Sequence, residues 1–412
     1  MLTFTELYNQ LLEDSVKTGE LPTILPPYDS LHLDCLLNPQ NYPLVWKFEK
    51  CDCSNGEQPN CVKSCLYEAI VPDENGGFKI DMDLCIGCSE CINACHAKNL
   101  MASRDVLPTL NAVRNSSGAV YALIAPAFLG QFQEGVTAGK LRNSFKRLGF
   151  NGMLEVALFA DILTLKEALE FDKNIVTESD FQLTSCCCPL WIGMIKKIYK
   201  ELMPHVPGSV SPMIACGRAI KQLYPDALTI FIGPCIAKKA ESRESDLAGA
   251  VDFVLTFQEM QDIFAFANID PSKQPESESE HSSRSGRIYA YSGGVSEAVK
   301  NTLERLNPNR EISFRSQAAN GVASCKEMIS ELKTGNMKAN FYEGMGCVGG
   351  CVGGPKVSIS PELGRKHVEK YGNDAHYNTP IDNPHVIEIL KRLGFETVED
   401  FLENSEIFTR QF

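Results

Sequence analysis

The sequence predicts a layered α/β protein preceded by a small domain organised by cysteines. Two observations carry that expectation. Beyond residue 118, short apolar runs alternate with amphipathic stretches, the pattern of small sheets flanked by helices. Ahead of them, eight of the seventeen cysteines fall between Cys51 and Cys95, too closely spaced to be core filler. A hydrophobic fraction of 44% and a charged fraction of 22% over 412 residues suit a globular chain and exclude global disorder.

In chain order, residues 1–50 open with Leu2, Phe4, Leu7, Leu11 and Leu12 at helical spacing and run on through Pro22, Pro26 and Pro27. This predicts one short helix and an extended connector. Residues 51–105 are the cysteine-built domain, interrupted by a turn-rich stretch at 71–77. Within 118–412, strands are expected at Val120–Ile124, Glu155–Leu158, Leu228–Ile232, Phe253–Leu255, Ile288–Tyr291 and Asn340–Tyr342. Helices are expected at Lys140–Leu148 (closed by Gly149), Leu163–Phe171, Ser296–Leu306, Cys325–Lys333 (closed by Gly335) and Pro384–Leu393 (closed by Gly394). The polar, low-complexity run from Asp270 to Gly286 predicts a mobile surface loop. No internal repeat stands out.

Composition limits the partners. The longest mainly apolar stretch, Ala119–Phe128, falls short of a membrane span, and the amino terminus lacks the pattern of an export signal. A cytoplasmic protein is expected, in which clustered thiols serve metals or catalysis rather than disulfides. A formal charge of -13 with no basic stripe argues against nucleic acid.

CIGCSECINAC, from Cys85 to Cys95, has the spacing CxxCxxCxxxC that wraps a four-iron cubane and lends its last cysteine to a neighbouring cluster. Upstream, Cys51, Cys53, Cys61 and Cys65 repeat the closing CxxxC behind a contracted opening pair. By that logic Cys51, Cys53, Cys61 and Cys95 hold one 4Fe-4S cluster, and Cys65, Cys85, Cys88 and Cys91 the other. The proline that usually follows the fourth cysteine is absent, with Leu66 and His96 in its place. Paired zinc sites are the alternative, although zinc ribbons rarely need the third thiolate of CxxCxxC.

Cysteines recur in LTSCCCPLW (183–191), FIGPCIAKKAE (231–241) and EGMGCVGGCVGGP (343–355). Each motif sets a thiol beside glycine or proline, where little side chain blocks a bulky inorganic group. A glycine-rich turn with buried cysteines explains any one motif, but not three together.

These three motifs and the domain before them resemble the iron-iron hydrogenases, whose members carry TSCCPxW, PCxxKKxE and a glycine-rich MxCxxGC loop. The resemblance spans about residues 45 to 400, and the triple cysteine marks a less studied branch. It implies a two-lobed catalytic domain with small sheets flanked by helices, behind a ferredoxin-like two-cluster domain. The implied cofactors are two 4Fe-4S clusters and an H-cluster, a 4Fe-4S cubane joined to a diiron unit with carbon monoxide, cyanide and an azadithiolate. Cys188, Cys235, Cys347 and Cys351 match the cubane ligands, Cys351 being the bridge to the diiron unit. Lys238 matches a lysine set against a cyanide ligand, a charge-assisted contact worth about 1.5–3 kcal/mol. Ala125, Pro126 and Ala127 match a lining segment. Met345 matches a methionine packed on the diiron unit, with plain core packing as the alternative. Two positions depart from the best known members: Gly233 replaces a second lining methionine, and Met213 a polar side chain.

Cys187 matches the thiol that relays protons, and Glu167 and Glu170, at i and i+3 on one helix, match relay glutamates. A solvated helix face is the other reading of that pair. Asn174 stands for an arginine and Pro207 for a serine, with Ser209 nearby, so the match defines the route only as far as Glu167. Cys186 is the extra thiol of this branch. Cys35, Cys216 and Cys325 match nothing and read as buried thiols, while Glu241 completes KKxE as a brace. The resemblance implies reversible hydrogen activation with a ferredoxin or similar small redox carrier, dependence on hydrogenase maturation enzymes, and anaerobic life. Two other classes compete: a non-catalytic relative (hydrogen sensor or cytosolic iron–sulfur assembly factor) and a plain multi-cluster electron carrier.

Overall fold

The computed structural model describes residues 1–22, 24–48, 58–73, 77–184, 187–277, 281–403 and 405–411. Cys51, Cys53 and Cys186 lie outside the described residues.

Four parallel strands build the main sheet, in the order Gly152–Glu155, Val120–Ile124, Leu228–Gly233, Phe253–Thr256. Its central strand reads as an unbroken apolar run because helices cover both faces: Ala122, Leu123 and Ile124 are fully buried. A second, three-stranded parallel sheet runs Ser316–Asn320, Phe341–Met345, Gln182–Leu183. This is the mixed α/β fold with small flanked sheets that the sequence predicts, and the strand Phe341–Met345 sits between two hydrophobic clusters, giving Phe341 and Met345 to the larger and Tyr342 to the smaller.

Two strand expectations are corrected. Glu155–Leu158 straddles a junction: the strand ends at Glu155 and an eighteen-residue helix, Ala157–Asn174, begins two residues on. Ile288–Tyr291 is a single tight helical turn, Ile288–Ala290, wedged between the helices Arg284–Arg287 and Gly294–Leu306. Its apolar residues are buried by packing on all sides, so its composition imitates a buried strand. The other four strands and four of the five helices appear within a few residues of their expected bounds, whereas the helix expected at Leu163–Phe171 starts six residues earlier, at Ala157.

The amino-terminal helix, Phe4–Thr18, is closed by a Thr3–Glu6 capping box, and the expected connector contains a second helix, Ser30–Leu37. Between residues 58 and 102 the chain repeats itself at a thirty-residue offset. The short helices Asn60–Lys63 and Glu90–Asn93 pack together, and Glu68 and Lys98 turn at matching positive φ angles of 53° and 54°. CVKSCLYEAI and CINACHAKNL are the two copies, which corrects the expectation of no internal repeat.

The expected mobile loop is also corrected at its end. Ser282, Ser283, Ser285 and Gly286 are buried: Asp161 on the long helix gathers the donors of Ser283 and Gly286, Ser282 Oγ accepts from Arg287, and Ser285 Oγ donates to the Asn378 carbonyl. Asp161 accepts from Ser283 N at 2.6 Å, Ser283 Oγ at 2.5 Å, Gly286 N at 2.7 Å and Asn383 Nδ2 at 3.4 Å. Burial drives the Asp161 pKa up from 3.8 to about 6 against those bonds. Folded chains therefore hold this proton more tightly than unfolded ones, and the stability it contributes falls as pH rises. Asp161→Asn turns an amide towards a donor and is expected to cost about 1–3 kcal/mol. In urea melts at fixed pH, the gap to wild type should narrow between pH 3.8 and about 6 and stay constant above.

Candidate functional site

Parallel strands end together, and loops leaving their carboxyl ends share one crevice. Here both sheets contribute. Ala125 and Pro126 follow the strand ending at Ile124, Pro234 and Cys235 follow Gly233, Val156 follows Glu155, Cys187 and Cys188 lie shortly beyond Leu183, and Gly346 and Cys347 follow Met345. All of them line one buried cavity of about 80 Å³, together with Lys238, Met213 and Cys351.

The thiols of Cys188, Cys235, Cys347 and Cys351 thus reach one space from three separate loops. Gly346 N donates to Cys188 Sγ at 3.4 Å, the kind of amide bond that tunes cluster sulfurs. Gly350 has a φ of +85°, and a Cβ there would lie 2.6 Å from Ser292 N, so only glycine lets this loop fold against its neighbour. Burial pushes the Cys235 and Cys351 thiols up to about 12 each, so they wait protonated until a metal displaces the proton. Among the described residues, no group of three or more His, Cys, Asp or Glu is placed to hold a single metal ion. Four thiols spread around a cavity suit the corners of a cluster instead, and the residues fit such a group.

Lys238 is 8% exposed, lines the cavity, and donates to Glu241 Oε2 at 2.6 Å. Burial opposes its charge, but Glu241 and the thiols of Cys351 and Cys187 outweigh that and hold its pKa above the ordinary value. Lys239 turns away and is fully buried against Glu259 at 2.9 Å and the Ser103 carbonyl at 2.9 Å. The two lysines of the motif therefore divide: one faces the cavity, the other ties down residues 103–105.

Of the remaining candidates, Ala125, Pro126, Met213 and Met345 line the cavity; Ala127 does not, although it is buried. Gly233 leaves room for Phe231: a Cβ at Gly233 would meet that ring at 2.5 Å, and Phe231 itself lines the cavity. Glu167 is 2% exposed and lies behind Cys187, whose pKa burial and then the charges of Cys188 and Glu167 push well upward. The solvated-face reading therefore fails for Glu167. Glu170 instead pairs with the buried Lys166 and lines an open cleft that Lys166 and Gly208 also border. Lys166 Nζ also donates to Ser209 Oγ at 3.1 Å, so a lysine stands beside Glu170 at the cleft.

Sequence reasoning missed two groups, and a third, the buried thiol it expected at Cys325, gains a place beside the site. Tyr289 lines the cavity and accepts from Thr164 Oγ1 at 2.9 Å, and the charges of Glu167 and Cys187 reach its hydroxyl. Glu343 is fully buried and accepts from Gly293 N at 2.7 Å and Ser296 N at 2.8 Å. Cys325 donates to the Met345 carbonyl at 3.5 Å, close enough to Cys188 to feel its charge. Tyr289 falls in the run misread as a strand; Glu343 stands four residues before a ligand candidate, and Cys325 was set aside as a buried thiol.

In the amino-terminal region, Cys65, Cys85, Cys88 and Cys91 crowd together. Burial raises the Cys88 thiol to about 11, with Cys65 and Cys85 adding to it, and Cys91 is raised by burial and then by Cys88, Cys85 and Cys65. Ala69 N donates to Cys65 Sγ at 3.2 Å. Cys61 and Cys95 border a separate cleft of about 460 Å³.

Four thiols, an ammonium and a further thiol around one cavity, at the meeting of two small sheets, suit a protein that cradles an iron–sulfur cofactor. Residues 118–355 match the family of the iron only hydrogenase large subunit, C-terminal domain, and the chain belongs to that family. Iron hydrogenase 1 of Clostridium pasteurianum is 26% identical over 315 residues, 66% of this chain and 54% of that protein, so the chain spans about half its length. The NADP-reducing hydrogenase subunit HndD of Solidesulfovibrio fructosivorans is 23% identical over 89% of this chain and 74% of its own. The cytosolic Fe-S cluster assembly factor NAR1 of Kluyveromyces lactis is 31% identical over 98 residues, 24% of this chain and 21% of its own. Relatives thus include both hydrogenases and assembly factors. The structure of apo FeFe-hydrogenase HydA1 from Chlamydomonas reinhardtii superposes with a TM-score of 0.58 at 20% identity, covering 72% of this chain and 94% of that one. Among the described residues, no helix is long and apolar enough to cross a membrane.

Proposed function

We propose that the protein is an iron-iron hydrogenase that reversibly converts protons and electrons into hydrogen. The observation that carries this reading is that Cys187 and Lys238 line the same buried cavity as the four ligand candidates, with Glu167 behind Cys187. An H-cluster bound there supplies an electrophilic metal site with an amine base beside it. Cys188, Cys235, Cys347 and Cys351 hold it, and Lys238 faces its anionic ligands. Phe231, Met213 and Met345 exclude water. Cys187 passes protons between the cofactor and Glu167. Residues 118–412 are the catalytic domain; residues 51–105 carry two 4Fe-4S clusters, with Cys51 and Cys53 completing the outer one; in residues 1–50 the first helix packs on the helices Val106–Asn115 and Phe257–Phe266, while Val45–Lys47 pairs with Leu100–Ala102. Electrons come from a ferredoxin or similar small carrier, and maturation enzymes install the diiron unit in an anaerobic, cytoplasmic setting.

Matured without oxygen, the protein is expected to show infrared bands of metal-bound carbon monoxide and cyanide and to evolve hydrogen from a reduced carrier. Absence of both after successful maturation would sink this reading. The likeness to NAR1 favours a second one, a cluster-bearing assembly factor. It predicts cubanes and no such bands. Lys238 and Cys187 weigh against it, since neither is needed to hold a cubane.

A further inference from the structure

We propose that Cys325, a thiol outside the ligand set, raises the reduction potential of the catalytic cubane by acting on Cys188 through the peptide between Met345 and Gly346. This deepens the proposed function and rests on the assignment of Cys188 as a cubane ligand.

The peptide stands between the two thiols and is hydrogen-bonded to both. On one side, Cys325 Sγ donates to the Met345 carbonyl at 3.5 Å. On the other, Gly346 N donates to Cys188 Sγ at 3.4 Å. That oxygen and that N–H belong to one amide, so the groups form a continuous series, S–H to O=C–N–H to S. A donor at the carbonyl oxygen draws electron density towards it and makes the amide proton more positive. The amide then binds the Cys188 sulfur more strongly. Gly321 N donates to the same oxygen at 2.8 Å, so two donors pull on it together.

Local structure fixes each part of this series. Cys325 is fully buried in the first turn of the helix Val322–Lys333. The carbonyl four residues back, at Gly321, already accepts from Cys325 N at 3.0 Å. The thiol reaches across to the neighbouring strand instead, where Met345 pairs with Asn320, the residue just ahead of that helix start. On the far side, a Cβ at Gly346 would lie 2.5 Å from Leu190 Cβ. Glycine therefore lets the amide close on the helix Pro189–Lys197, which starts beside Cys188.

Reduction adds negative charge to a cluster, and its sulfurs carry part of that charge. Hydrogen bonds to the sulfurs favour the reduced form and raise the potential. One electron enters the cubane, the thiol keeps its proton, and no bond of the chain forms or breaks. Cys325 is thus a positioning residue, set to tune the cubane rather than to hold it.

The test is a redox titration of the full chain carrying its cubanes but no diiron unit, followed by EPR. Cys325→Ala and Cys325→Val both remove the donor, the first leaving space and the second filling it. Each is expected to shift the same single reduction step to lower potential and to leave the steps of the ferredoxin-type clusters in place. No shift in either variant overturns the proposal. So does a shift in only one of them, which would trace the effect to packing, and so does a shift of every step together. Reduced-minus-oxidised infrared spectra give a second reading. The S–H band of Cys325, assigned by its loss in Cys325→Ala, should move to lower frequency as the cubane is reduced, and a band that stays put overturns the coupling. A wild type that binds no cubane would sink the assignment of Cys188 itself, a failure distinct from that of Cys325.

Discussion

Cys187→Ala is expected to lower hydrogen turnover by about 10²–10⁴-fold, the range for losing a positioned proton donor. The cofactor should still load, because the four ligand candidates reach the cavity from loops that do not depend on this side chain. The measurement pairs hydrogen evolution with infrared bands on one preparation: bands kept and turnover lost supports the relay, whereas unchanged turnover removes it. The geometry explains why no neighbour is expected to substitute. Glu167 is buried behind Cys187 and is absent from the cavity wall. Tyr289 does line the wall, but burial, with Glu167 and Cys187 beside it, holds its phenol protonated. Thr164 donates towards it at 2.9 Å, so this contact gives Tyr289 no acceptor to hand a proton on to. Past Glu167, Lys166 lies between Ser209 and Glu170. Any outward path near these groups meets a cation, a feature the sequence match does not imply.

Much of the site was legible because its chemistry resides in rare residues at fixed spacing. Thiols beside glycine and proline announce themselves, and the apolar strand Val120–Ile124 does so because it is buried on both faces. What stayed hidden depends on contacts between distant segments. Nothing near Ser283 or Gly286 signals burial; it takes Asp161, more than a hundred residues away, to satisfy their donors and draw a polar run into the core. Phe231 borders the cofactor cavity only because Gly233 leaves its ring a place. Lys166 was invisible for a related reason: on a helix it is an ordinary basic residue until Glu170 and Ser209 close around it. Composition records what a residue can do, and long-range packing decides whether it does so.

The other large effect is expected at a residue with no functional group. Gly344 lies in the strand Phe341–Met345, paired with Ala319, three residues before Cys347. Trp191, fully buried, presses its ring onto it: a Cβ there would lie 2.0 Å from Cε3 and 2.1 Å from Cδ2. Neither group can yield cheaply. The strand is held by its parallel neighbours on both sides, and the indole Nε1 donates to the Thr184 carbonyl at 3.4 Å. Gly344→Ala must therefore push apart the strand that leads to Cys347 and the helix Pro189–Lys197 that starts beside Cys188. Overpacking of this kind costs about 1–3 kcal/mol, and here it also spreads two cubane ligand candidates. The expected result is a lower melting temperature in the apoprotein and loss of the cubane on reconstitution. Gly77→Ala, where a Cβ meets nothing within 4 Å, should change neither. Trp191→Phe supplies the decisive comparison: a smaller ring relieves the clash, so the double variant should recover part of the stability that the two single changes lose, and strict additivity would show that the close approach is not what Gly344 is for.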